Sequence, residues 1–175
     1  ALQDILVLAD KSGVAEKLIP KLSESSVHPV SASIGPRFAQ LSASTYELSS
    51  NLIDDFNQIV AVKQFQVIVF MWALDIQAPA IDCVSALAEG QEVLSRSVVN
   101  MMKALVQSNY TGSIWFITRG TDRVVESDRI INFAQSPISG IARVLVNEHP
   151  EIQVYQVDLS SAATDIEIGA LCQEL

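Results

Sequence analysis

The sequence predicts an α/β fold: a doubly wound, mainly parallel β-sheet with helices on both faces. Three observations point to it. Five short apolar segments rich in β-branched residues recur along the 175 residues. The segments between them repeat their apolar residues at helical spacing. The strand segments are almost continuously apolar, as parallel strands covered on both sides must be.

The strands are read at Ile5 to Ala9, Val30 to Ile34, Val67 to Trp72, Ile114 to Thr118 and Ile152 to Val157. A first helix is expected at Gly13 to Ser25. Pro20 lies inside it, where it removes an amide donor and crowds the preceding turn at a cost of ~3 kcal/mol, so a kink or a two-piece helix is expected. The serine-rich Ser31 to Ser50 reads as the loosest part of the chain, with a short strand near Tyr46-Glu47-Leu48. A second helix, Asn51 to Lys63, carries Leu52, Phe56 and Ile59 on one stripe. The third and longest, Cys83 to Val106, aligns Leu87, Leu94, Val98, Met101 and Leu105. Pro137 to Glu148 (Ile138, Ile141, Leu145) and Thr164 to Leu175 (Ile168, Leu171) complete the set. The whole reads as one domain, residues 1–175.

A chain of this size buries about 70% of the surface it exposes when unfolded, enough for one well-formed core. Its formal charge of -9 argues against nucleic acid or anionic membrane as partners, because both call for clustered Lys and Arg. Cys83 and Cys172 are far apart and outside any C-x-x-C, and only His28 and His149 accompany them. Neither a disulfide framework nor a metal site is expected, and the compartment expected is the cytoplasm. The apolar runs are too short to span a bilayer. The chain opens without Met, directly before a strand, and stops within a helical pattern, which reads as a piece cut from something larger.

A dinucleotide site on such a sheet wants G-x-G-x-x-G where the first strand meets the first helix. The glycines let the turn tighten and the backbone approach a pyrophosphate at the helix N-terminus. Here the residues are Asp10-Lys11-Ser12-Gly13-Val14-Ala15. Ser12 crowds the approach, and Asp10 is suited to cap the helix with its own carboxylate where a phosphate would lie. The end of the second strand, Ser33-Ile34-Gly35-Pro36, has no acid for a ribose; Arg37 follows, within reach of a 2′-phosphate or simply exposed.

Carbonyl reduction on this scaffold needs a Tyr proton donor, a Lys four residues on to lower its pKa, and a Ser to orient the carbonyl. Tyr46, Tyr110 and Tyr155 are not followed by Lys at that spacing, and Pro137 to Glu148, where the pair belongs, contains neither. Thr118 could stand in for the Ser but cannot do the chemistry alone. Thr118-Arg119-Gly120 lies at a strand end, as a ligand edge or as a plain turn. Glu148-His149-Pro150 reads as a helix terminus, and Trp72 and Trp115 as core residues. No catalytic, cofactor-binding or metal-binding residue is assigned.

Four stretches occur in order along the chain. They are Ile5-Leu6-Val7-Leu8-Ala9-Asp10, Trp72-Ala73-Leu74-Asp75, Trp115-Phe116-Ile117-Thr118-Arg119-Gly120, and Ser136-Pro137-Ile138-Ser139-Gly140-Ile141-Ala142-Arg143-Val144 leading to Glu148-His149-Pro150-Glu151 and Val157-Asp158-Leu159. Over nearly its whole length the chain resembles the N-terminal, structural subdomain of ketoreductase domains from modular type I polyketide synthases. Ser139 departs from the family's usual Trp. The resemblance implies a truncated Rossmann-like fold of the short-chain dehydrogenase/reductase kind that has lost cofactor binding and braces a catalytic half carrying NADPH. No catalytic residue carries over. The implied partners are that catalytic subdomain or a neighbouring synthase domain, with an acyl carrier protein involved indirectly; a pseudo-ketoreductase module is the variant of this reading. It also implies flanking strands beyond this piece, leaving sheet edges to be covered. The alternatives are a divergent reductase completed by another chain, using Thr118 or Arg37, and a small-ligand-binding α/β domain using the strand ends near Trp72, Asp75 and Arg119.

Overall fold

Strand β1 (Gln3–Leu8) lies near the middle of a seven-stranded sheet, and its alternation explains the two layers around it. Ile5 and Val7 point to one face, Leu6 and Leu8 to the other, and all four are buried. The chain continues through α1 (Val14–Glu24), β2 (Val27–Ile34), β3 (Ala39–Gln40), β4 (Thr45–Leu48), α2 (Ile53–Val62), β5 (Val67–Phe70), α3 (Val84–Gln107), β6 (Ser113–Arg119), α4 (Pro137–Glu148), β7 (Gln153–Leu159) and α5 (Asp165–Glu174). The sheet order is β3-β4-β2-β1-β5-β6-β7, parallel throughout except for β3 against β4. This computed structural model describes residues 3–25, 27–76, 84–122 and 132–175. Cys83, expected to open the third helix, lies outside the described residues.

Helices α2, α3 and α4 cover one face, where Phe56, Ile59, Leu94, Val98, Met101, Leu105 and Ile138 pack on Ile68, Phe70, Ile114 and Phe116. Helices α1 and α5 cover the other, with Leu18, Leu22, Ile168 and Leu171 against Val67, Val69 and Ile117. Each such side chain contributes roughly 1.5–3 kcal/mol by leaving water, so two apolar layers of this size account for the order of the sheet.

Four expectations are corrected. Helix α1 is continuous through Pro20 rather than split in two. Pro20 and Glu16, whose carbonyl loses its partner, are both exposed, so water solvates the freed oxygen. The stretch Ser31 to Ser50 is not loose: it completes β2 and forms the β3–β4 hairpin at the sheet's end. β2 also starts earlier than its apolar pattern suggests and contains Pro29. The proline is tolerated because β4 pairs only from Ser31 onward, so the side of Pro29 that lacks an N–H faces no strand. Finally, Leu87 and Leu52 were expected on buried stripes, but Leu87 is only partly covered and Leu52 is exposed, so α3 joins the core from Leu94 on.

Gly112, between α3 and β6, is fixed by space. A Cβ there would stand 2.3 Å from the Gln66 carbonyl oxygen and 2.4 Å from the Tyr110 hydroxyl, which itself donates to the Gln66 and Ser113 carbonyls. Gly112→Ala is expected to lower unfolding free energy by about 1–3 kcal/mol in urea titrations, because backbone must shift to admit the methyl. Gly169→Ala, whose Cβ meets nothing within 4 Å, serves as the control and is expected to be neutral or slightly stabilising.

Candidate functional site

In an open parallel sheet the ligand edge is the fringe of loops at the carboxyl ends of the strands, where helix N-termini expose unpaired amides. In this protein carboxylates occupy that fringe. After β1 the chain enters a tight turn with Gly13 at φ 99°, a left-handed conformation that glycine adopts without strain. The Asp10 side chain folds over the start of α1: it accepts from the Val14 N–H at 3.1 Å and the Ala15 N–H at 2.7 Å, and from the Ser12 hydroxyl. From the turn that follows β5, Asp75 reaches the same place, with one Oδ1 accepting from the Lys11 N–H at 2.8 Å and the Ser12 N–H at 3.1 Å. Burial, and then the neighbouring Asp10 charge, push the Asp75 pKa up against the lowering effect of those amide bonds.

The turn therefore does not fit a pyrophosphate. The amides of Lys11, Ser12, Val14 and Ala15, which would have to donate to it, already donate to two carboxylates. Asp10 does what its position in the sequence suggested. Asp75, weighed only as a strand-end residue, is the part sequence reasoning missed, because its partners lie more than sixty positions away.

At the second candidate edge a carboxylate again takes a hydroxyl and amides, while Arg119 Nε and Asn132 Oδ1 are buried without a partner among the described residues. Thr118, buried at the end of β6, donates its hydroxyl to Asp158 Oδ1 at 2.7 Å and lies 3.1 Å from the Thr121 hydroxyl. Asp158 also accepts from the Thr121 N–H and hydroxyl and from the Asp122 N–H. A hydroxyl so engaged is not free to orient a substrate carbonyl. The Arg119 N–H donates to the side chain of the fully buried Gln135, which in turn donates to the Ile76 carbonyl. Gly120 adopts φ 62°, the permissive turn expected of it.

The remaining candidates are scattered. Arg37 is exposed. His149 terminates α4 and lies 3.1 Å from Glu151. Trp72 is buried, its Nε1–H donating to the Ala32 carbonyl, whereas Trp115 is half-buried and stacks on Tyr155 with ring centroids 4.3 Å apart. Tyr46 is in the core, Tyr110 is pinned to two carbonyls, and neither lies in α4. Among the described residues no three His, Cys, Asp or Glu side chains gather as a metal site, and no helix is long and apolar enough to cross a membrane.

No family model matches the chain, and no curated protein does. Solved structures do. A multidomain structure comprising adenylation, ketoreductase and pseudo Asub domains of a keto acid-selecting NRPS module superimposes with a TM-score of 0.83 at 21% identity, over 98% of this chain and 15% of that one. A C2-type ketoreductase from a modular polyketide synthase gives 0.70 at 19%, over 98% and 35%. A short-chain dehydrogenase family protein from Francisella tularensis gives 0.66 at 13%, over 99% and 83%. The fold is a Rossmann-like α/β fold, similar to that of short-chain dehydrogenase/reductase structures. The doubly wound parallel sheet expected from the sequence is thus present, and the chain spans about a third or less of the length of these ketoreductase structures.

Two outcomes follow from the carboxylate fringe. Asp10→Ala strips acceptors from two buried amides and is expected to cost about 1–3 kcal/mol by chemical denaturation. Glu167 closes a capping box with Thr164 and also accepts from Ser160; partial burial would raise its pKa, but these hydrogen bonds outweigh it and hold the carboxyl near 2. A depressed carboxyl contributes stability that is complete above its ordinary value of 4.5 and lost as pH falls toward 2. The stability difference between wild type and Glu167→Gln, measured in urea from neutral pH downward, should shrink across that window; a constant difference would contradict the capping role.

Proposed function

We propose that this chain is a noncatalytic brace: the structural half of a ketoreductase, or of a pseudo-ketoreductase, in a synthase module, with β-ketoacyl reduction and NADPH assigned to a separate catalytic half. The observation that carries the reading is the β1–α1 turn, where Asp10 and Asp75 take the amides a pyrophosphate would need. A divergent reductase that used Thr118 would need its hydroxyl free, and Asp158 holds it; one that used Arg37 would draw on an exposed residue between β2 and β3. A ligand site at Asp75 would compete with the two amides that bind its carboxylate.

The bracing surface is the outer side of α3 and α4. Between these helices runs an apolar groove of about 710 Å³ floored by Val98, Met102, Ile141 and Leu145. Its rims carry Val99, Val106 and Val144, which are 45%, 44% and 56% exposed. Gly140 lines the same groove in mid-helix, and a Cβ added there would meet nothing within 4 Å. Glycine inside a helix costs roughly 0.5–1 kcal/mol relative to alanine, and no neighbour among the described residues requires it. A helix docked in this groove would come closest at Gly140, where a Cβ is missing. Apolar rims, a small residue and few charges are the composition of an interface core.

Titration with NADPH tests the reading directly: no binding is expected up to high micromolar concentrations, and low-micromolar affinity would defeat it. On the bracing side, Gly140→Ala is expected to stabilise the isolated chain by about 0.5–1 kcal/mol. Val144→Glu, which leaves the core untouched, is expected to abolish co-purification with a catalytic ketoreductase half supplied in trans; unchanged co-purification would remove this face from the proposal.

A further inference from the structure

The groove between α3 and α4 has two unlike ends. Each helix leads from the carboxyl end of one parallel strand to the amino end of the next, so both terminate at the same edge of the sheet. At the start of α4 the lining is apolar or small, with Pro137 and Gly140. At the other end, where α3 stops at Gln107 and α4 at Glu148, the lining turns polar: Lys103, Gln107 and His149. The 12 residues of α4 set the length of the groove at roughly 18 Å, about three turns of a helix laid in it.

Charge separates the two ends further. The chain has 20 Asp and Glu against 11 Lys and Arg, yet no Asp or Glu lines this groove. His149 is already engaged, its Nδ1 lying 3.1 Å from Glu151. Lys103 is exposed, and among the described residues no carboxylate comes within 4 Å of its ammonium. A partner covering the groove takes water from that ammonium, which costs free energy unless the partner brings an acceptor to it. The helix termini point the same way. Neither α3 nor α4 has a basic residue in its last turn, so two negative dipole ends lie together at this end of the groove.

We propose that the Lys103 end of the groove is a carboxylate-recognition site, which takes an Asp or Glu from the first turn of a partner helix laid antiparallel to α3 and α4. That direction brings the positive end of the added dipole to the two negative ends, and first-turn acids are the ones its own N-terminus favours. The identity of the partner, a helix of the domain this chain braces, rests on the role proposed above. A second copy supplies no such acid: in a two-fold pairing each groove meets the lining of the other, which contains neither Asp nor Glu, and two net charges of -9 are brought together.

An amphipathic helical peptide of about fifteen residues, with leucine and alanine on one face and two glutamates in its first turn, tests the site without a natural partner. Replacing the glutamates by glutamine should weaken its binding to the wild-type chain at least about threefold and leave its binding to Lys103→Ala unchanged. Equal losses on both chains, or no saturable binding below about 1 mM, would overturn the proposal. A water-soluble carbodiimide, which condenses an amine with a carboxylate into an amide, should join a first-turn glutamate to Lys103; mass spectrometry that finds only other lysines joined would count against the site. In the complex with a catalytic ketoreductase half, Lys103→Glu should weaken affinity about tenfold or more, while Lys103→Arg stays within about twofold. All of these variants should keep the wild-type urea midpoint, because the side chain is exposed. A complex lost with Val144→Glu but unaffected by Lys103→Glu would overturn the carboxylate site and leave the brace standing. Peptide binding that depends on Lys103, in a chain that binds no catalytic half, would do the reverse.

Discussion

Backbone amides at the carboxyl edge of a parallel sheet must find acceptors, and the acceptor chosen decides what the edge can do. In this fold the acceptors are the chain's own carboxylates. Asp10 and Asp75 take the β1–α1 turn, Asp158 the loop after β6, and Glu167 the start of α5. Asp55, buried in α2, accepts from the Ser49 N–H at 2.7 Å and fixes the exit from β4. A hydrogen bond to a charged acceptor contributes about 1.5–3 kcal/mol, so each loop is held by a contact large on the scale of a domain's net stability. The same positions on a sheet that binds nucleotides would be kept open for phosphate.

Electrostatics sharpens the distinction. Asp10 and Asp75 already share one turn, and their mutual repulsion is one reason the Asp75 pKa is raised. A phosphate entering there would be a further anion. Two unit charges 5 Å apart at an effective dielectric of 20 repel by about 3 kcal/mol, more than a hundredfold in affinity for each carboxylate met. Replacing a glycine or a serine would not restore such a site, because the opposition comes from two side chains on different strand ends.

Local chemistry was legible in the sequence, and distant chemistry was not. The Asp10 cap follows from residues within five positions of each other, and the strands of the sheet follow from apolar runs such as Val67 to Phe70. Thr164 and Glu167 also carry the spacing of a capping box, so that closure was available to a local reading. Asp75 and Asp158 act across the fold, and nothing in their sequence neighbours announces the amides they bind. The errors have the same origin. Pro20 and Pro29 argue against regular structure on propensity alone, and both are accommodated because the missing hydrogen bond falls where the tertiary structure leaves solvent or no strand. The third helix looked uniformly amphipathic, yet its buried residues begin only at Leu94.

On the proposed reading as a brace, closed and open surface have separate places. A binding domain concentrates its unsatisfied polar groups in a concave site and seals its sides. Among the described residues, amides of the loop fringe meet carboxylates, and exposed apolar surface lies along α3 and α4. Exposed apolar surface costs free energy in water and is relieved by another polypeptide rather than by a small anion. The α3–α4 groove supplies area without direction, so a partner seated there needs polar contacts beside it to fix its rotation.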